Sequence, residues 1–264
     1  MARYIKLYGI YLQRAIKSRL EYKKDAIIGI GSFLINNICS LLSLVFIVNS
    51  IPSLNGWSMY ELGFLYGFSM IPRAIDHLLT DSLWYIGFWY VRTGEIDRFL
   101  IRPVNVLFQV IAETFQPEAM GEAILGGVLL IACGMHVDFV ITVPAVIMII
   151  AAIVFGSIIF TSLKLITCSI AFWTKRSGQL MSMTYNMSDF AKYPIGIYHP
   201  VVKFILAFII PFGMIVSIPV EILIHGTYNA WAVTGTLALI AAVLFTLGCL
   251  VWNAGLANYE SAGN

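Results

Sequence analysis

The chain has 264 residues, 59% of them hydrophobic and 11% charged, with a formal net charge of +2. Soluble domains are about 45–50% apolar and about 25% charged. The composition therefore excludes an ordinary water-soluble enzyme or binding module and predicts an all-α integral membrane protein with no soluble domain.

Residues 1–25 form the first predicted unit. Over Arg3–Lys24 a helical period puts Lys6, Gln13, Lys17 and Lys24 on one face and Tyr4, Tyr8, Tyr11, Leu12 and Ala15 on the other. Ile10 falls on the polar side. This pattern predicts an amphipathic helix lying in the cytoplasmic interface, its tyrosines at headgroup depth; the plainer alternative is a basic flank to the first span. The start shows no cleavable signal pattern.

Residues 26–253 are predicted to be one transmembrane domain. A spanning helix takes about 20 mostly apolar residues. Ala26–Val48, Val106–Cys133, Phe139–Trp173 and Ala230–Trp252 meet that length. Tyr60–Val91 is long enough but interrupted by charge, and Lys203–His225 is broken by Pro211 and Pro219. The total is about six spans. The four cysteines, Cys39, Cys133, Cys168 and Cys249, lie in these apolar runs with no paired spacing, so they read as small hydrophobes.

The second span carries Arg73, Asp76, His77 and Asp81. With Arg73 at the origin of a helical wheel, the other three fall within about 80° of it, and Tyr66, Ser69 and Thr80 share that side. A charge at the bilayer centre costs roughly 2.5–3.5 kcal/mol even on the lenient insertion scale. Two readings stand. The stripe pairs within itself, as Arg73 with Asp76 or His77 with Asp81, and lines a translocation path or subunit interface. Otherwise the helix extends into the cytoplasm and the charges are merely solvated.

Between the second and third spans runs GEIDRFLIRPVN, Gly94–Asn105. Gly94 suits the left-handed residue that ends a helix. Glu95 and Asp97 would then open a short helix at about residues 94–104, where negative charge is favoured. Ile96, Phe99, Leu100 and Ile101 give it an apolar side, Arg98 and Arg102 project at four-residue spacing, and Pro103 suits the first turn of the next helix.

After the fourth span, residues 179–200 are too polar for a lipid-facing helix. They are either a cytoplasmic segment before a fifth span at Lys203–His225, or a short fifth span at Gln179–Tyr193 followed by a proline-broken re-entrant element at about residues 194–225. Tyr193, Pro194, Pro200, Pro211 and Pro219 mark the second option. Residues 254–264 form a tail.

Orientation follows the basic residues. Seven of the 16 lysines and arginines lie in the first 24 residues; Arg92, Arg98, Arg102, Lys175 and Arg176 follow in two loops. The loops Asn49–Ser58, Gly134–Asp138 and Gly226–Asn229 have none. Both termini, the Gly94 loop and the Lys175 loop are therefore expected in the cytoplasm, although Lys192 and Lys203 complicate the pattern. The scattered histidines form no metal motif, and no nucleophile elbow or phosphate-binding Gly-Lys loop occurs. No catalytic or metal-ligating residue is expected, nor a nucleic-acid partner.

Four segments resemble a known family. GEIDRFLIRPVN is similar to the loop Gly-x-[Leu/Ile]-Asp-x-[Phe/Tyr]-Leu-x-Arg-Pro of small six-span ABC-2 type transporter permeases. AFWTKRSGQL and the stretch Phe190–Leu223 look like the same family's later segments, as does the closing NYESAG. The resemblance implies an exporter permease without its own nucleotide site, working in the plasma membrane. It implies a separate cytosolic ATPase in two copies, carrying ATP and Mg2+, and a second permease chain, identical or paralogous. Gly94, Glu95, Asp97, Arg98, Arg102 and Pro103 would form the coupling helix the ATPase grips. It also favours the short fifth span with the re-entrant element. An ion-coupled carrier using Asp76, His77 and Asp81, or a membrane scaffold, is the alternative. Composition leaves a drug, a peptide or a lipid as substrate.

Overall fold

In the computed structural model, which describes residues 2–21, 23–50, 56–226 and 228–261, helices account for nearly all regular structure. Helix α1, Ala2–Glu21, is followed by α2, Lys23–Ser50. Lys23 and Lys24 thus open α2 rather than close the amphipathic helix. The predicted faces of α1 hold where side chains are described: Lys6, Gln13 and Lys17 are exposed, Tyr8, Tyr11, Leu12 and Ala15 are half-buried, and Ile10 is exposed. Tyr4 and residues 51–55 of the Asn49–Ser58 loop lie outside that description.

Helix α3, Met59–Thr80, begins at a reciprocal cap. Ser58 Oγ accepts from Glu61 N at 3.3 Å, and Glu61 Oε2 accepts from Ser58 N at 2.6 Å, satisfying donors that helix geometry leaves unpaired. After a turn at Asp81–Ser82 the chain continues through α4, Leu83–Tyr85, a π-turn at Ile86–Tyr90, and α5, Val91–Thr93. Gly94 ends this run at φ 76°, the left-handed cap expected of it. Helix α6 is Asp97–Leu100.

The predicted third span, Val106–Cys133, is two helices. Helix α7, Val106–Glu113, stops at Thr114, whose backbone is extended; Pro117–Ala119 forms a 3-10 turn, and α8 runs Met120–Gly134. Pro117 cannot donate the helical hydrogen bond, and the residue before a proline is pushed out of the α region. Pro103 is corrected as well. It lies in a bend, and Asn105 caps α7 by accepting from Phe108 N at 3.0 Å.

Helix α9, Val143–Ser169, starts later than predicted because Thr142 caps it and Pro144 fills its first turn. Then come α10, Ala171–Thr174, and α11, Gly178–Asn186, which continues as a 3-10 turn to Lys192. Helix α12, Pro200–Phe204, is extended by a π-turn to Ile209, followed by α13, Phe212–Ile215, α14, Ser217–His225, and α15, Ala230–Ala257. Pro200–Ile209 and Phe212–His225 meet at a 74° bend. Pro211 makes that bend; Pro219 does not, since it occupies the first turn of α14, where its missing N–H is no loss.

Among the described residues four helices are long and apolar enough to cross a membrane, or five if the bent pair counts as one span. The expected six are reached only by adding α3, whose charges keep it from passing on composition. Helix α15 reaches Ala257, past the predicted boundary at 253, and residues 262–264 of the tail lie outside the described chain.

Two ends of the bundle are distinct. At one, Tyr8 meets Phe108 (ring centroids 6.4 Å), Ser177 N donates to Gly87 O (2.9 Å), and Ser261 reaches Asp97. At the other, Trp57 meets His225 (5.1 Å), Tyr60 stacks on His136 (4.4 Å), and Val140 N donates to Leu223 O (2.8 Å). The N-terminal helix, the Gly94 loop, the Lys175 loop and the tail therefore share one end, where the basic residues of the first three gather.

Helices α3 and α8 cross with their backbones close. A Cβ on Gly67 would stand 2.8 Å from Leu129 Cβ and 3.0 Å from Gly126 O. Small residues allow such approach in membrane helices. Gly67→Leu is expected to destabilise the fold by about 3 kcal/mol, the upper range for overpacking. Gly127→Leu faces open space and should be nearly neutral. Thermal unfolding of the two purified variants checks this; equal midpoints would contradict it.

Candidate functional site

The charged stripe of α3 faces the bundle, with Asp76 and His77 buried and Arg73 and Asp81 half-buried. Asp76 is 1% exposed and His77 8%. The ion pairs expected within the helix do not form; every charged partner comes from another element. Lys164 Nζ, from the last third of α9, lies 2.8 Å from Asp76 Oδ2 and 3.0 Å from Asp81 Oδ1. Arg73 lies 3.4 Å from Glu122 of α8 and 3.1 Å from Asp189. His77 Nδ1 is 3.0 Å from the other Glu122 oxygen. Lys192 pairs with Asp189 at 2.8 Å.

The arrangement follows from solvation. A carboxylate out of water needs a counter-charge and donors for its lone pairs. Asp76 has both. Beyond Lys164 it accepts from Thr80 Oγ1 (2.6 Å) and Thr161 Oγ1 (2.8 Å) on one oxygen, and from Tyr185 OH (2.9 Å) on the other. Tyr185, from α11, joins the two halves of the network. Its ring stacks on His77 (5.0 Å), and Arg73 and Lys164 lie 5.1 Å and 5.4 Å from its centroid. Three cations, Arg73, Lys164 and Lys192, face four carboxylates, Asp76, Asp81, Glu122 and Asp189. The set carries one negative charge in excess when His77 is neutral. Beside it, between α3, α9 and α15, is an apolar cavity of about 290 Å³ lined in part by Leu79, Ile153, Val154 and Phe245.

Lys164, Glu122, Asp189 and Tyr185 were not singled out from the sequence. The signal was there for two of them. Lys164 is a lone lysine inside an apolar 27-residue helix, and Glu122 a lone acid in α8; an ionisable residue at such a place needs a partner.

The loop residues take definite places at the α6 end. Ile96 and Phe99 are buried, but Leu100 is 44% and Ile101 82% exposed. The apolar side expected of this helix is therefore split, half anchoring it and half facing out with Arg102. Arg98 does not project freely. It pairs with Glu113 at 2.5 Å and lies over the rings of Tyr90 and Phe99. Asp97 accepts from Ser261 Oγ at 2.5 Å, and Glu95 from Thr93 Oγ1 at 3.4 Å. Gln109, fully buried, donates to Phe99 O (3.0 Å) and Val104 O (2.8 Å). Four residues could not stay helical alone; these contacts hold them.

The residues of the predicted re-entrant element are distributed along one path. Tyr193 follows the 3-10 turn and Pro194 begins another. Pro200 opens α12, which exposes Val201 and Phe204. Beyond Pro211 the chain is buried again. Ser217 Oγ donates to Tyr193 O at 3.0 Å, so α14 begins beside the end of the α11 segment. The run Gly178–Lys192 is thus a short helical segment packed in the bundle, and a 3-10 turn at Ile195–Ile197 and α12 separate it from α13. Among the described residues no group of three His, Cys, Asp or Glu side chains is arranged to hold a metal ion.

Long apolar helices around a cross-paired ion network, with a braced amphipathic turn at one end, define a multi-pass membrane protein. The family model for ABC-2 family transporter proteins matches residues 34–263. The chain belongs to that family and is an ABC-2 transmembrane permease. A search of curated proteins found no match, and neither did a search of solved structures.

Proposed function

We propose that this chain is the membrane subunit of an ATP-driven exporter, moved by a separate cytosolic ATPase that carries ATP and Mg2+. The observation that carries this reading is α6. It presents Leu100, Ile101 and Arg102 outward on a base fixed by Ile96, Phe99, Gln109 and the Arg98–Glu113 pair. An exposed apolar pair beside a cation, at the end where basic segments gather, suits a protein partner in the cytoplasm. Both termini lie on that side of the plasma membrane.

Two permease chains, identical or paralogous, form the path. The face of α11 and its continuation supports this. Gln179, Asn186 and Asp189 are exposed there beside Met183, and polar groups at membrane depth belong against protein or a water-filled cavity. Arg73, Asp76, His77 and Asp81 stand behind that face and hold its shape.

The test is purification of the tagged chain from native membranes. Co-purification of an ATPase in equal proportion, with ATP hydrolysis in the reconstituted complex, is the expected result. The charge excess of the ion network favours one other reading, an ion-coupled carrier. Transport by the chain alone in proteoliposomes, driven by a proton gradient without any ATPase, would establish that and overturn the exporter.

A further inference from the structure

The tail after α15 makes contacts that neither the span count nor the docking face requires. Helix α15 passes Phe172 at Gly255, where a Cβ would stand 2.5 Å from the ring. Asn258 then caps the helix, its Nδ2 donating to Ala254 O at 2.7 Å. The Tyr259 ring sits edge-on to Phe172 with centroids 6.0 Å apart, and Phe172 sits edge-on to Trp252 at 5.1 Å. The tail packs against the same apolar cluster that anchors Ile96 and Phe99. Two residues on, Ser261 Oγ donates to Asp97 Oδ2 at 2.5 Å. Helix α6 is therefore held from two directions, through Arg98–Glu113 to its own neighbour α7 and through Asp97–Ser261 to the last helix.

We propose that Asn258–Ser261 is a strap tying the coupling helix α6 to α15, so that a displacement of α6 is delivered to α15 as well as to α3. Without it α6 would be tied to the rest of the bundle only through the Gly94 junction, the Arg98–Glu113 pair, Gln109 and the shared apolar cluster. The strap rests on the exporter reading only for the source of the displacement. A hydrogen bond from a neutral hydroxyl to a carboxylate is among the stronger ones available at a surface. An apolar anchor two residues away limits the freedom of the segment that carries it. Ser261 and Asp97 are positioning residues, distinct from the outward Leu100–Arg102 face.

Hydrogen exchange on the permease–ATPase complex in lipid nanodiscs tests this, with and without ATP. The chains compared are the wild type, one ending at Ala257, Ser261→Ala and Ser261→Thr. Truncation and Ser261→Ala should speed exchange of the Asp97–Ile101 amides about tenfold, as expected for losing a hydrogen bond to a charged group. Ser261→Thr, which keeps the hydroxyl, should restore protection. ATP should alter exchange at the starts of both α3 and α15 in the wild type, and the α15 change should be largely lost in the truncated chain. Unchanged protection of α6 on truncation, or an intact α15 response, overturns the strap. A wild type with no ATP response at all counts against the exporter reading, and the protection of α6 still decides the strap.

Discussion

Lys164→Met is expected to destabilise the protein by roughly 3–5 kcal/mol, the cost of leaving a buried charge without its partner. Lys164 is 2% exposed and stands between two carboxylates. Its loss leaves Asp76 with only the hydroxyls of Thr80, Thr161 and Tyr185, which offset desolvation without neutralising it. Asp81 suffers less, since its side chain is 17% exposed and reaches water. The double variant Asp76→Asn with Lys164→Met removes one charge of each sign and should recover much of the loss. Thermal unfolding in nanodiscs measures both. A single variant as stable as the wild type would mean that the Asp76–Lys164 pair is not what joins α3 to α9.

Ile101→Asp is expected to weaken association with the ATPase by ten- to thirtyfold or more while the permease stays folded. An apolar anchor at the centre of an interface is worth about 2 kcal/mol or more when removed, and each 1.4 kcal/mol is tenfold in affinity. Because the side chain is 82% exposed, the bundle loses nothing. Arg98→Glu makes the contrast. It would place two acids together at the Glu113 contact, so its effect should register in unfolding as well as in binding. Pull-down of the ATPase by each variant, alongside its melting curve, separates the cases. Undiminished capture by Ile101→Asp would remove the outward face of α6 from the interface.

Both results turn on facts of different legibility. The place of α6 was readable, because glycine before a short charged run between two apolar stretches admits few conformations. The left-handed Gly94 follows from its missing Cβ. Which side of α6 is anchored was not readable. Ile96, Phe99, Leu100 and Ile101 are all apolar, and only the position of Gln109 and the aromatic cluster decides that the first two go inward. The stripe of α3 was readable as a stripe, since helical period places its residues on one side whatever surrounds them. Its partners were not, and the pairs suggested within the helix were wrong. A carboxylate takes the partner that best replaces its water, here Lys164, 83 residues from Asp81 in sequence.

The sequence by itself determined the solvent this protein lives in, the helical segments, the end of the bundle that gathers positive charge and the family. Those depend on composition and on local order, which no folding can alter. Tertiary structure decided where the long helices break, which buried charges meet and how the tail reaches α6. Each of these is a contact between residues far apart in the chain. Its energy exists only once packing has brought them within a few ångströms and excluded water or lipid from between them.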